Sequence, residues 1–309
     1  MEMNYVLSVS QRKTLNYKKP KRKRITVGLI FIYIFFAIFC FLCLFPFWYV
    51  LVGAFSNGQD YLNGGVWIWP RKWDLSNFQY VLQDKALWSG LLVTVSRLLI
   101  GVTCALLFTS MAAYAMSRKN LRGKKVFRII NLCAMYFGGG LIPFFVWMVQ
   151  LGLYNNFLVY ILPGLYSVYN MLVFSTFFRG IPEELHEAAI IDGANEFQIM
   201  FKIYFRMSGP AFATIGMWLG LAHWNAYYDC MLYCSTNDNL HTLQYYLLHI
   251  VQSASSNNDG SGIGQIYSNV TARTVSYAAI VLSCIPVIAA FPFITRTIKH
   301  GVSLGAVKE

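Results

Sequence analysis

Groups able to do covalent chemistry are sparse in this sequence and poorly placed for it. Of five histidines, only His223 lies well inside an apolar stretch, and its sequence neighbours offer no evident partner. Seven cysteines are scattered along the chain. Cys40-x-x-Cys43 has a redox-like spacing but sits in an apolar run, where free cysteine behaves as a small hydrophobe. No disulfide framework or metal-ligand spacing emerges. An intramembrane enzyme would need a nucleophile–base pair or metal ligands in such runs, and an ion channel a filter or charged ring. Neither is visible, nor is a relay of buried carboxylates and histidines for protons. What stands out is a polar segment, Arg179 to Pro210, whose residues suit docking rather than catalysis.

That segment reads as a helix, a glycine break and a second helix. Pro182 suits the first turn of a helix, and Glu183 and Glu184 sit at the positive end of its dipole. Leu185, Ala188, Ala189 and Ile191 are expected to form an apolar face, and Gly193 to supply the left-handed residue that ends the helix. A second amphipathic stretch uses Phe197, Met200, Phe201 and Tyr204. The paired alanines leave little bulk, so another protein's backbone can approach closely. Periodicity alone leaves two readings open: a helix lying on the lipid interface, and a docking element for a soluble partner.

The elements that position this segment are membrane spans. Charged residues make up 12% of the chain and apolar residues 57%, against about 25% charged in soluble domains. Uncharged runs such as 25–55 exceed the roughly 20 residues needed to cross a bilayer. Both features argue against a soluble enzyme. The net charge of +12 raises a nucleic-acid partner, and its distribution answers that. Twenty of the 25 Lys and Arg fall in four blocks, at 12–24, 118–128, 179–206 and 296–308. Basic residues flanking spans report cytoplasmic retention, so no nucleic-acid partner is expected.

Six spans are predicted, at 25–52, 88–116, 126–150, 157–178, 208–235 and 273–295. The fold class is thus an all-α polytopic membrane protein. With the four basic blocks inside, both termini are cytoplasmic. Residues 1–24 form a basic tail, 25–295 the six-span domain with the polar loop 179–209, and 296–309 a second cytoplasmic tail. The first span is too long for a signal-peptide core and is expected to be an uncleaved anchor. The outside segments are 53–87, a tight turn near 152–156, and 236–272. The first carries Trp67, Trp69 and Trp73, which suit the membrane interface, and a short amphipathic stretch over 75–82. The last contains a Ser, Asn and Gly-rich run at 253–264 that favours a mobile loop. Arg97 lies about one-third of the way into the second span, where it can snorkel or serve function. Asp229 and Arg273 lie near outer span ends and ask for no special account.

Glu187-Ala188-Ala189-x-x-Asp192-Gly193-Ala194, with Pro210 seventeen residues after Gly193, resembles the E-A-A loop of ATP-binding-cassette importer permeases. Ala113-Tyr114-x-x-Ser117-Arg118 is similar to that family's boundary after the second span. Gly138-Gly-Gly-Leu-Ile-Pro143, Leu151-Gly-Leu-Tyr154, His223-Trp224-Asn225 and the tail 301–308 resemble a carbohydrate-uptake branch. The resemblance implies that Glu187, Ala188, Ala189, Asp192, Gly193 and Ala194 form a coupling helix seated on an ATPase subunit. It also implies a second homologous permease subunit, two ATPase subunits, an extracytoplasmic solute-binding protein and a location in the bacterial cytoplasmic (inner) membrane. No cofactor is expected in this chain, because ATP would be bound by the partner subunits, and no metal. One departure is Phe205-Arg206, where the family usually has leucine-proline; a helix running on through Arg206 would be straighter.

Sugar rings present apolar faces and hydroxyls, so a sugar path is expected to offer aromatics and hydrogen-bonding groups. Positions 218, 221, 225 and 228 share one face of a continuous helix. That predicts Trp218, Asn225 and Tyr228 as path residues. A permease for a non-sugar solute such as a peptide is the alternative.

Overall fold

The computed structural model describes residues 27–256 and 269–305. The basic tail 1–24, most of the Gly-rich run at 253–264 and the last residues of the C-terminal tail lie outside the described residues. The chain divides into two units, Met1–Phe47 and Trp48–Glu309. The first contributes the apolar body of α1 (Val27–Ala54), a run without a charged residue that includes Cys40, Cys43 and Pro46.

The second unit holds the rest. In chain order it comprises α2 (Gly58–Leu62), α3 (Ser76–Gln83), α4 (Lys85–Ser117), α5 (Lys124–Tyr136), α6 (Leu141–Gln150), α7 (Val168–Arg179), α8 (Glu183–Ile191), α9 (Glu196–Ile199), α10 (Phe205–Met207), α11 (Gly209–Asn225), α12 (Tyr228–Tyr233), α13 (Leu243–Ser256) and α14 (Ala272–Gly305). Among the described residues there is no strand, only one isolated antiparallel bridge between Ser56 and Trp73.

Among the described residues, three helices are long and apolar enough to cross a bilayer: Gly28–Ala54, Lys85–Ser117 and Ala272–Pro292. Two bent pairs raise the number to five if each counts as one span. The predicted third span is broken into α5 and α6, which meet at 110°. Gly140 explains the corner, since its φ of +84° and ψ of 166° are open only to glycine. The predicted fourth span is a 3₁₀ segment over 157–164 followed by α7, bent by 49°. The predicted fifth span is also discontinuous. α11 stops at Asn225, Ala226 is extended (φ −77°, ψ 123°), and α12 begins at Tyr228. The predicted outer segment 236–272 is not all loop: it contains a helix, α13.

α4 is the spine of this unit. It is 33 residues long without proline, about 50 Å at 1.5 Å per residue, and packs against α7, α11 and α13. Its buried positions include Ala105, Thr109, Ser110 and Ala113, and small residues let neighbouring helices approach closely. Near its Ser117 end, Tyr114 and Met116 join Phe174, Phe178, Ile199 and Tyr204 in one buried cluster. Nearer its Lys85 end, Val93 belongs to a second cluster with Tyr160, Cys230, Tyr233 and Tyr245.

Candidate functional site

The segment 179–210 folds as helix, turn and helix. Gly180 ends α7, and Pro182 is the residue before α8 rather than inside its first turn. α8 ends as the sequence requires. Gly193 has a φ of +80°, its N–H donates to the Ile190 carbonyl, and the Ala194 N–H reaches back to the Ala189 carbonyl at 2.9 Å. This is the paired-bond left-handed cap that satisfies the last carbonyls. Asn195 then opens α9 with a reciprocal bond to Gln198, so the chain turns sharply between two capped helices.

The apolar face predicted for α8 is divided. Leu185, Ala188, Ile190 and Ile191 are exposed, Ile191 at 85%. Ala189 and Ala194 are half-buried against the cluster around Tyr204 and Phe178. Glu187, Asp192 and Gly193 are exposed with Ala188, and Glu187 makes no hydrogen bond or ion pair among the described residues. Likewise Phe197 and Phe201 face outward while Met200 and Tyr204 are buried. The second helix does run on through Arg206, as its departure from proline predicts, yet it is not regular. Met200–Tyr204 is a π-helical turn, which locally widens the coil.

α8 is held from behind by His186, a residue that no sequence motif singles out. His186 is 3% exposed, and both its ring nitrogens are used. Arg118, the residue capping α4, donates from Nη2 to His186 Nδ1 at 2.9 Å and from Nη1 to the Tyr204 hydroxyl at 2.9 Å. Because the guanidinium can only donate, Nδ1 is the acceptor and Nε2 carries the hydrogen toward Glu196, 3.3 Å away. Glu196 also accepts from the Tyr114 hydroxyl, and Tyr204 packs edge-on to Tyr114 with ring centroids 4.9 Å apart. Burial pushes the Glu196 carboxyl up, but the bonds from Tyr114 and His186 and the nearby Arg118 outweigh it, leaving it below the usual carboxylate range. At the rim, Lys119 bonds Glu183 and draws its carboxyl down. The Ala113-Tyr114-x-x-Ser117-Arg118 motif thus has a physical purpose: two side chains one turn apart on α4 grip α8, α9 and the π turn together.

At the other end of α4, the structure corrects the reading of Arg97 and Asp229. Arg97 does not snorkel; it is 2% exposed. Its two Nη atoms donate to the two Asp229 oxygens at 3.2 and 2.5 Å, and its Cζ lies 4.5 Å from the Tyr160 ring centroid. Asp229 therefore needs a structural account after all, as the counter-ion of a buried cation. The Leu243 N–H donates to Thr94 Oγ1 at 2.9 Å, a second tie between α4 and the segment following α12.

The predicted path residues do not share one helical face, because the helix stops between them. Trp218 is exposed and tilts over Tyr169 of α7 at 6.1 Å. Asn225 is exposed at the last turn of α11, where its Nδ2 donates to the Leu221 carbonyl at 2.9 Å. Tyr228 is exposed beyond the break, next to Asp229. A cavity of about 500 Å³ lies elsewhere on α11, between Leu98 of α4, Gly216, Gly220 and Trp224 of α11, and Pro286 of α14. Its walls are apolar, and Trp218, Asn225 and Tyr228 are not among them.

The chain is similar to known proteins over most of its length. The polygalacturonan/rhamnogalacturonan transport system permease protein YtcP of Bacillus subtilis is 32% identical over 279 residues, covering 90% of this chain and 96% of that protein. The arabinooligosaccharides transport system permease protein AraQ of Halalkalibacterium halodurans is 28% identical, covering 93% and 99%. One chain of a crystal structure of a bacterial ABC transporter involved in import of the acidic polysaccharide alginate superposes with a TM-score of 0.82 at 32% identity, over 90% of this chain and 99% of that one. The family described as binding-protein-dependent transport system inner membrane component matches residues 15–228. The chain belongs to that family of membrane-embedded ABC transport permease subunits, which are not enzymes.

Proposed function

We propose that this chain is one permease half of an ATP-driven importer for an oligosaccharide or related carbohydrate. In this reading it crosses the cytoplasmic (inner) membrane six times with both termini inside, α11 and α12 together making the fifth crossing. It pairs with a second homologous permease, two ATPase subunits bind from the cytoplasm, and an extracytoplasmic binding protein delivers the sugar. Carbohydrate is favoured over peptide because the relatives are named for saccharides.

The observation that carries the coupling role is the two-sidedness of α8. Its back is fixed to α4 through His186, while Leu185, Ala188, Ile190 and Ile191 are exposed beside Glu184, Glu187 and Asp192. Exposed apolar side chains interleaved with carboxylates, on a helix anchored from behind, suit a protein partner rather than lipid. ATP-driven closure of the ATPase pair would shift α8 and bias the permease between inward and outward access. Trp218, Asn225 and Tyr228 are assigned to the sugar path.

The test is association of the ATPase subunit. A Cβ at Gly193 costs roughly 1–2 kcal/mol in the left-handed region, and Val adds a branched side chain to that strain. Gly193→Val, and Glu187→Lys on the exposed face, are expected to abolish uptake and weaken co-purification of the ATPase while the chain still inserts. Wild-type association and transport in both variants would refute the reading.

A further inference from the structure

We infer that His186 is a positioning residue that joins α8 to the end of α4, so that the ATPase stroke is delivered to α4 directly. The inference rests on the reading of α8 as the ATPase-docking helix and adds where its motion goes.

α8 has nine residues, and His186 is its one fully buried side chain. So short a helix has little stability of its own, and its direction is set by what holds it. Its covalent links are poor levers. On one side are Gly180, Ile181 and Pro182; on the other, Gly193 in a left-handed turn, followed past α9 by the π turn and the break at Ser208. The side-chain link is of another kind. Tyr114, Glu196, His186, Arg118 and Tyr204 form a connected set of bonds in which each member of α4 touches two parts of the loop. Tyr114 and Arg118 are four residues apart, hence on the same face of α4.

What α4 receives it can carry. The helix is unbroken from Lys85 to Ser117, and its far part is bonded through Arg97 to Asp229 and through Thr94 to Leu243. The bonding also explains why histidine occupies position 186. The site needs an acceptor toward Arg118 and a donor toward Glu196 on one short, stiff group. A glutamine amide offers the same pair of functions, and leucine offers neither.

The experiment uses the assembled transporter, purified with its ATPase subunits and reconstituted in nanodiscs. Spin labels at Asn120, just past α4, and at Glu184 on α8 report their separation without nucleotide and after trapping with ATP and vanadate. In the wild type one narrow separation, the same in both states, is expected. His186→Leu is expected to broaden it and to make it shift on trapping while the ATPase still co-purifies, and His186→Gln to restore the narrow, unchanging separation. Four results overturn the inference: a wild-type separation that changes on trapping, a His186→Leu separation as narrow and constant as the wild type, failure of His186→Gln to restore it, or loss of the ATPase from His186→Leu. The docking reading fails separately, if Gly193→Val and Glu187→Lys both leave ATPase association and transport intact.

Discussion

At its Ser117 end, α4 meets a ring of polar side chains spread over three short elements. Toward its Lys85 end, its buried Arg97 meets a single carboxylate, Asp229. In the ring, Arg118 and Tyr114 share their bonds among His186, Glu196 and Tyr204, and Glu196 keeps much of its surface open. Loss of one bond leaves others, and water can reach the rim. At Arg97 the bonding is concentrated on Asp229, and the guanidinium is closed off from solvent. Distributed, partly wet contacts suit an element that receives force from a partner and must re-form. A concentrated contact that buries its cation suits a fixed joint, because separating the charges is costly.

This comparison makes an asymmetric prediction at the fixed joint, where the largest effect is expected. Asp229→Asn leaves a fully buried cation with a neutral partner, and loss of a buried partner costs about 3–5 kcal/mol. Arg97→Met leaves Asp229, whose side chain is 29% exposed and can be hydrated. Asp229→Asn should therefore lower the thermal midpoint in detergent more than Arg97→Met. The reverse order would show that the buried cation is not what makes this joint costly to break.

A smaller effect is expected at the path. Tyr228 and Asn225 flank the helix break beside Asp229, whereas Trp218 is braced by Tyr169 of α7. If each polar contact to a sugar hydroxyl is worth about 1 kcal/mol, alanine at Asn225 or Tyr228 should reduce the uptake rate about fivefold. Assembly and basal ATP hydrolysis should be unchanged. Uptake unaffected by alanine at all three positions would remove them from the path.

What the sequence disclosed follows from how local each feature is. The end of α8 depends on bonds within six residues, so Gly193 announced it. α3 was legible from its short amphipathic pattern, and the corner at Gly140 lay within a triple glycine that the continuous third span overlooked. The break at Ala226 is not legible in the same way, since no proline or glycine marks it. Arg97 and Asp229 are 132 residues apart, and no periodicity links two single charges on different helices. His186 sits in an otherwise ordinary helical stretch. Its importance appears only when Arg118, 68 residues earlier, is brought against it by the packing of α4 on the loop.

The central claim, that the exposed face of α8 is the seat of an ATPase subunit, is tested most directly at Ala188. A photo-crosslinking residue placed there in the assembled transporter should form its main adduct with the ATPase subunit. The same group at the half-buried Ala189 should react mainly within the chain. An Ala188 adduct formed only with lipid, with none to the ATPase, would contradict the account and return α8 to the membrane surface.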